Sequence, residues 1–181
     1  YYEGNRLITE YKDENKRLDF LYDNNGILYG FIENKTNIYY YVRDCMQNIL
    51  GIIDSNNKIV VKYNYNAYGE ILSITGNPYI GSINPFRYKG YYYDDETNLY
   101  YCNSRYYVAE WCRWLTPDSV EYLDSSNING LNLFSYCHNN PIMYYDPTGH
   151  FGIWALIGII IGVVALAATA NDIYQIASGN V

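Results

Sequence analysis

The sequence predicts an all-β body made of repeated β-hairpins, followed by a C-terminal apolar α-helix. Three observations support this fold class. The 181 residues include 25 tyrosines and 14 glycines, a composition that favours half-buried strands joined by tight turns. A short sequence word recurs within residues 1–75, and residues 151–170 form an apolar run without charge.

The recurring word consists of a tyrosine, then polar turn residues with Gly or Asn, then an aliphatic residue that starts a strand. Its copies are YEGNRL (2–7), YDNNGIL (22–28), YNAYGEIL (65–72) and a degenerate YVRDCMQNIL (41–50). The starts are 20, 19 and 24 residues apart (22 − 2, 41 − 22 and 65 − 41), about one hairpin each. Such a period predicts a repeat architecture, in which stacked units share one core.

Residues 58–74 show the period of two that is typical of a strand with one packed face. Val61 and Tyr63 alternate there with Lys62 and Asn64. Polar clusters rich in Asn, Asp and Gly suit hairpin turns, because these residues tolerate positive φ; they occupy 23–26 and 54–57. We therefore predict a meander of hairpins over residues 1–75, whose sheet continues before Tyr1 in a longer parent that covers its open edge.

Charge and motifs exclude several function classes. The net charge of -7, from 12 Lys+Arg and 19 Asp+Glu, disfavours nucleic acid as a partner of this fragment. The four cysteines include no C-x-x-C pair, so neither a metal nor another cofactor is expected. No G-x-S-x-G, H-E-x-x-H or phosphate-loop motif points to a hydrolase that acts on external substrates.

The sequence motifs of residues 76–150 differ from those of the hairpin repeats. After GNPYIG (76–81), which we interpret as a turn-rich connector, come RYKGYYYDDETNLYYCNSRYY, RWLTPD and NLFSYCHNNPIMYYDPTG. With these words, residues 1–150 resemble the YD-repeat and Rhs core of bacterial polymorphic toxins. That group includes Rhs proteins, wall-associated proteins of the Rhs type and the C subunits of Tc toxin complexes.

This resemblance implies a hollow β shell of hairpin repeats (1–75), plugged by an Rhs repeat-associated core (76–150). It also implies that the core is an aspartyl-type autoprotease which cuts just after its D-P-x-G signature and frees a C-terminal effector held inside the shell. By matching words, the catalytic residues are Arg105, Asp118 and Asp146.

The residue types suit that chemistry. Of two adjoining carboxylates one retains a proton and acts as acid, while the other activates water. An arginine can orient one of them or stabilise the oxyanion. The alternative is structural: Asp118 and Asp146 would serve turns beside prolines, and Arg105 would form a strand salt bridge.

The sequence departs from the family pattern at several turn and cleavage positions. Val108-Ala109 replaces a D-P pair, and Asn98 and Cys112 stand where the family has glycine, so we expect altered turn geometry. His150 follows D-P-T-G where cleaving members commonly have Leu. Cleavage between His150 and Phe151 is therefore a hypothesis.

The apolar run of residues 151–170 has the length of a bilayer-spanning helix. We interpret residues 151–181 as a transmembrane helix that begins the variable effector region, since the run has no polar face to serve a soluble helix. The other interpretation is an apolar helix sheltered inside the shell.

The expected partners are the chain's own effector, an immunity protein and a target membrane, and the expected location is secreted or cell-surface, with a membrane-associated C-terminal segment. A rival function is a non-catalytic surface protein that binds carbohydrate or another cell, as related teneurins do, because tyrosines can stack on sugars.

Overall fold

A computed structural model describes residues 1–13, 15–123, 125 and 128–150. The chain forms two compact units. The first contains Tyr1–Asp44 and Asn48–Tyr93, and the second contains Cys45–Gln47 and the described residues from Asp94 onward. The predicted helix within residues 151–181 lies outside the described residues. Among those described, no helix has the length and apolar character that crossing a bilayer requires.

The first unit is a seven-stranded antiparallel meander whose strands pair in chain order. A two-stranded hairpin of β1 (Tyr2–Glu3) and β2 (Arg6–Leu7) precedes it. The meander consists of β3 (Thr9–Asp13), β4 (Lys16–Tyr22), β5 (Leu28–Glu33), β6 (Asn37–Arg43), β7 (Ile49–Asp54), β8 (Ile59–Tyr65) and β9 (Ile71–Gly76). The prediction of a mostly β-sheet body of hairpins is confirmed.

The recurring word coincides with the hairpin turns. In two copies the tyrosine is the last residue of a strand, Tyr22 of β4 and Tyr65 of β8, and the next strand begins at the aliphatic end of the word. The following residue closes the turn with its side chain. Asp23 Oδ1 accepts hydrogen bonds from the backbone N–H groups of Asn25 (2.9 Å) and Ile27 (2.7 Å).

The same side-chain turn recurs at two other hairpins. Asp54 Oδ1 accepts from the residues two and four positions later, at 2.9 and 3.0 Å, and Asn66 Oδ1 does so at 2.9 and 3.0 Å. This local bonding explains why Asp and Asn occupy these positions: the side chain provides the acceptor that the reversing backbone lacks.

One face of the meander carries the core of the first unit. The buried side chains of β4, β5, β7 and β8 on this face are Leu18, Phe20, Phe31, Ile49, Ile52, Val61 and Tyr63. The predicted alternation in β8 is confirmed, because Val61 and Tyr63 are buried while Lys62 and Asn64 are exposed.

A short helix, α1 (Pro78–Ile83), covers this core, so the interpretation of residues 76–81 as only a turn-rich connector was wrong. Asn77 caps the helix by accepting from the backbone N–H groups of Tyr79 (3.0 Å) and Ile80 (3.2 Å). Pro78 suits the first turn. Burial of Ile80 stabilises the helix on the sheet by roughly 2 kcal/mol.

Buried tyrosines use their hydroxyl groups to bind backbone carbonyls or side-chain amides. Tyr63 donates to the Gly81 carbonyl at 3.0 Å and Tyr65 to the Ile49 carbonyl at 2.9 Å. Asn84, which is fully buried, accepts from Tyr41 Oη at 2.7 Å and donates to Tyr63 Oη at 3.2 Å. Tyrosine thus supplies apolar area and closes the polar network within the same core.

The second unit contains short strands and single turns of 3₁₀ helix. Its strands β11 (Leu99–Cys102), β12 (Arg105–Val108) and β13 (Arg113–Trp114) pair antiparallel. β10 (Tyr92–Asp94) precedes them in the order of the same sheet. The 3₁₀ turns of the second unit among the described residues are Val120–Tyr122, Ile128–Leu131 and Cys137–Asn139, and a further 3₁₀ turn, Tyr88–Gly90, belongs to the first unit.

Three aromatic side chains form the centre of the second unit. The ring of Tyr107 lies 4.0 Å from that of Tyr136 and 5.7 Å from that of Trp114, and all three side chains are buried. Asn98 and Cys112, which stand where the family has glycine, both have a left-handed φ, +58° and +57°, a conformation in which a side chain is disfavoured.

Asn84 gives a test of the polar network in the core. Asn84→Ala removes one hydrogen-bond partner from each of the hydroxyl groups of Tyr41 and Tyr63. We therefore expect the free energy of unfolding to fall by about 1–3 kcal/mol. Urea unfolding measures it. The matched control is Asn64→Ala at an exposed strand position, which should change the value by less than about 0.5 kcal/mol; equal losses in the two variants would contradict the role given to Asn84.

Candidate functional site

Arg105 is the first residue of β12 and its side chain is buried. The carbon Cζ of its guanidinium group lies 4.2 Å from the centre of the Trp114 ring, at a distance that favours a cation over an aromatic face. Trp114 is itself held by Tyr107 and Tyr136. The aromatic centre of the second unit therefore packs against one face of the guanidinium group and supports it.

The guanidinium group also lies close to both predicted aspartates. Its Nη2 lies 2.7 Å from Asp118 Oδ2 and 3.9 Å from Asp146 Oδ2. Its Nη1 donates to the Leu133 carbonyl at 3.2 Å, and the backbone N–H of Asp118 donates to the same carbonyl at 3.0 Å. The structure thus brings Arg105, Asp118 and Asp146 together, as the matching words predict; their catalytic role stays a prediction.

Asp118 is surrounded by hydrogen-bond donors. Its side chain is 6% exposed. Oδ2 faces Arg105, while Oδ1 accepts from the backbone N–H of Ser119 at 2.9 Å and lies 2.6 Å from Nδ1 of His150. Donors on both oxygens suit a carboxylate that carries negative charge.

Asp146 has a different environment. It is fully buried, and its Oδ1 accepts from the backbone N–H groups of Gly149 (2.9 Å) and Thr148 (3.2 Å). Burial raises the pKa of Asp146, and the negative charge of Asp118 acts in the same direction. The two N–H donors and Arg105 oppose this increase without cancelling it. The two carboxyl groups are therefore unequal, and Asp146 is the one suited to hold a proton.

The backbone of Asp146–Gly149 is fixed by a ladder of side-chain hydrogen bonds. Each side chain of residues 102–105 donates to the carbonyl 44 positions later: Cys102 to Asp146 (3.3 Å), Asn103 to Pro147 (3.0 Å), Ser104 to Thr148 (2.8 Å) and Arg105 Nε to Gly149. This unbroken register holds the D-P-T-G segment beside the carboxyl groups.

Gly149 is required by the closeness of this ladder. Its φ is +80°, and a Cβ atom at this position would lie 2.3 Å from Ser104 Oγ and 2.5 Å from the Cys102 carbonyl oxygen. Sequence reasoning assigned no role to Cys102, Asn103 or Ser104. Their one signal was membership of the C-N-S-R word, which by itself does not reveal what lies opposite.

His150, named in the cleavage hypothesis, also lies at the site. Its ring stacks on that of Tyr122 with centres 5.0 Å apart and planes inclined by 15°. Phe151, on the other side of the hypothetical cut, lies outside the described residues. A cavity of about 30 Å³ is lined by residues that include Arg105, Asp118 and Leu133, which is room for a water molecule.

The site can therefore provide a buried acid, a second carboxylate and a cation beside a fixed backbone segment, with space for a water molecule next to Arg105 and Asp118. These are the requirements for hydrolysis of a peptide bond by two carboxyl groups. In the described part of the chain, no three His, Cys, Asp or Glu side chains are grouped so as to hold a metal ion.

Comparisons with known proteins give consistent matches. A family model described as Teneurin YD-shell matches residues 3–142. The tRNA3(Ser)-specific nuclease WapA of Bacillus spizizenii is 33% identical over 162 residues, which are 87% of this chain and 7% of that protein. Salivary gland surface protein 1 of Aedes aegypti is 30% identical over 94% of this chain and 5% of that protein.

Among solved structures, the Photorhabdus luminescens Tc holotoxin pore matches with a TM-score of 0.64 and 23% identity, over 75% of this chain and 6% of that chain. At this identity the match speaks for the fold alone. The chain spans less than a tenth of the length of each of these relatives.

The raised pKa of Asp146 makes stability depend on pH. Because the folded protein favours the protonated group, this group's contribution is fully present below its ordinary value of 3.8 and is lost as the pH rises through the raised pKa. Asp146→Asn removes the ionisation. We therefore expect the stability of Asp146→Asn relative to the wild type to increase as the pH is raised from about 4 towards 7.

Urea unfolding of both proteins across this pH range measures the difference. Asp95→Asn, at an exposed position, is the control for an aspartate outside the site. A relative stability of Asp146→Asn that stays constant with pH would contradict the assignment of a raised pKa to Asp146.

Proposed function

Because this chain belongs to the Teneurin YD-shell family, we propose that it is the end of a toxin shell whose core releases a C-terminal effector by cutting its own chain. The predicted resemblance to YD-repeat toxin proteins is confirmed, and the β-rich fold agrees with that of a Tc toxin. Encapsulation and self-cleavage are the further steps of the proposal. One observation carries them: Arg105 lies between two unequal carboxyl groups, beside a D-P-T-G backbone held in register.

The proposed reaction is hydrolysis of the His150–Phe151 peptide bond. A water molecule attacks the carbonyl carbon of His150 while Asp118, the charged carboxylate, takes one of its protons. Asp146 donates its proton to the departing nitrogen as the carbon–nitrogen bond breaks. The products are a carboxyl group on His150 and an amino group on Phe151, and the proton now resides on Asp118 instead of Asp146.

The side-chain ladder supports a single cut per molecule. Four carbonyl groups of residues 146–149 are bound by residues 102–105, and none of these hydrogen bonds involves the bond to be broken. The new C-terminal segment stays in place after the reaction. A site that remains filled by its own product does not turn over.

Mutation of the two aspartates tests this function. In the full chain, the wild type is expected to yield two fragments divided after His150, seen by intact mass spectrometry. Asp146→Asn removes the acid and Asp118→Asn removes the base, and we expect each to slow the cut by about 100-fold or more.

Asp95→Asn should be cut at the wild-type rate, since its side chain lies at an exposed position outside the site. Cleavage of Asp146→Asn at the wild-type rate would show that the aspartates are structural and would refute the proposed reaction.

The effector proposed to follow the cut begins with the apolar run of residues 151–170. Its length and lack of charge support insertion into a target membrane, and a toxic payload requires an immunity protein in the producing cell. A secreted or cell-surface location follows from the same proposal. We expect the full chain to bind lipid vesicles and a chain truncated before Phe151 not to bind them. Equal binding by the two chains would assign the binding to the shell instead of the apolar run.

A second candidate function is carbohydrate binding at a cell surface. The observation that favours it lies on the sheet of the first unit, where the rings of Tyr29 and Tyr40 stack at 6.3 Å and 14° and Tyr29 is 38% exposed. Flat aromatic pairs of this kind can receive a sugar ring. Glycan-array binding that Tyr29→Ala abolishes, with no cut detected in the wild type, would favour this function over self-cleavage.

A further inference from the structure

His150 departs from the residue type that the family pattern has at its position, yet the structure binds its side chain on two sides. Nδ1 of the ring lies 2.6 Å from Asp118 Oδ1. The ring face lies parallel to Tyr122, with a centre separation of 5.0 Å. Both partners come from one short segment, because Tyr122 ends the 3₁₀ turn that begins two residues after Asp118.

The main chain of His150 is held as well. Its N–H group donates to Thr148 Oγ1 at 3.3 Å, and Thr148 Oγ1 donates to its carbonyl oxygen at 3.2 Å. Thr148 is bound to Ser104 through its own carbonyl. The carbonyl group that would be attacked is thus fixed from the backbone by Thr148 and from the side chain by Asp118 and Tyr122.

We propose that Asp118 and Tyr122 form a subsite that selects an imidazole at position 150 and positions the carbonyl of His150 for hydrolysis. This inference rests on the proposed self-cleavage, and it assigns a positioning role to Tyr122. An imidazole fits both Asp118 and Tyr122, because it has an N–H donor for the carboxylate and a flat face for the tyrosine ring. Leucine has neither, and glutamine has the donor without the aromatic face.

The contact with Asp118 also selects a form of the ring. A charged carboxylate accepts hydrogen bonds and has none to donate, so Nδ1 of His150 must carry hydrogen. The subsite therefore holds the neutral ring in its Nδ1–H tautomer or holds the doubly protonated ring. A histidine free of this contact has no such constraint on Nδ1.

Rates of self-cleavage in the full chain test the positioning role. His150→Leu removes both contacts, and we expect the cut to slow by about tenfold or more, because small displacements of a reacting group reduce rates strongly. Tyr122→Ala should slow it severalfold, whereas Tyr122→Phe, which keeps the ring, should stay within about twofold of the wild type. If the His150→Leu or the Tyr122→Ala variant cleaves itself as fast as the wild type does, the positioning role is overturned.

A second measurement is independent of cleavage. In the Asp146→Asn background, in which the cut is slowed, ¹⁵N NMR of the imidazole rings in the uncut chain reports which nitrogen carries hydrogen, and His138 is the one other histidine in the sequence. We expect protonated Nδ1 in His150 and its loss when Asp118→Ala is added, because alanine has no acceptor for this hydrogen. His138 should keep its spectrum.

The two measurements separate the two proposals. Absence of any cut in the wild type refutes the proposed function, and the imidazole subsite then stands or falls on the NMR result alone. Normal cleavage of the wild type together with a His150 spectrum that Asp118→Ala leaves unchanged overturns the subsite and leaves the proposed function intact.

Discussion

The guanidinium group of Arg105 connects every part of the second unit that matters for its site. Its planar fork directs donors at Asp118, Leu133 and Gly149, and its face lies on Trp114. A lysine could satisfy one of these directions at a time, because an ammonium group has no planar fork. The strand β12, the loop that carries Asp118 and the D-P-T-G segment therefore depend on one side chain for their mutual placement.

That dependence explains the role of the aromatic centre beneath the arginine. A cation that binds several acceptors needs a fixed position, since each hydrogen bond loses strength as its angle departs from linearity. Tyr107 and Tyr136 restrict Trp114, and Trp114 restricts the guanidinium plane. The tyrosine-rich composition thus has two uses in this chain, as the satisfied polar core of the hairpin sheet and as the support of an ionic site.

The sequence predicted the parts of the molecule whose causes are local. Hairpin turns could be predicted because Asp23 and Asn66 bond to residues within four positions, and strands could be predicted from alternation. Helix α1 could not, because six residues that contain proline and glycine are too few for helical periodicity to appear. Its stability comes from packing on the sheet, where the Gly81 carbonyl accepts from Tyr63 of β8.

The site shows the same division. Matching words identified Arg105, Asp118 and Asp146, but the ladder joins residues 44 positions apart and the contact of His150 with Asp118 spans 32. Such pairings depend on how the intervening segment folds back. At Asn98 and Cys112 the backbone is left-handed although neither residue is glycine, a conformation that residue type alone does not predict for cysteine.

The charges of the site link its stability to its proposed chemistry. Burial of an arginine with two charged carboxylates would leave an excess negative charge in a region of low dielectric constant, which is costly. The raised pKa of Asp146 reflects this cost, because protonation of Asp146 would leave one positive Arg105 beside one negative Asp118. This neutral arrangement is also the one that hydrolysis requires, with a proton on the acid and a free charge on the base. The protonation state that favours folding is therefore also the state that the proposed reaction uses.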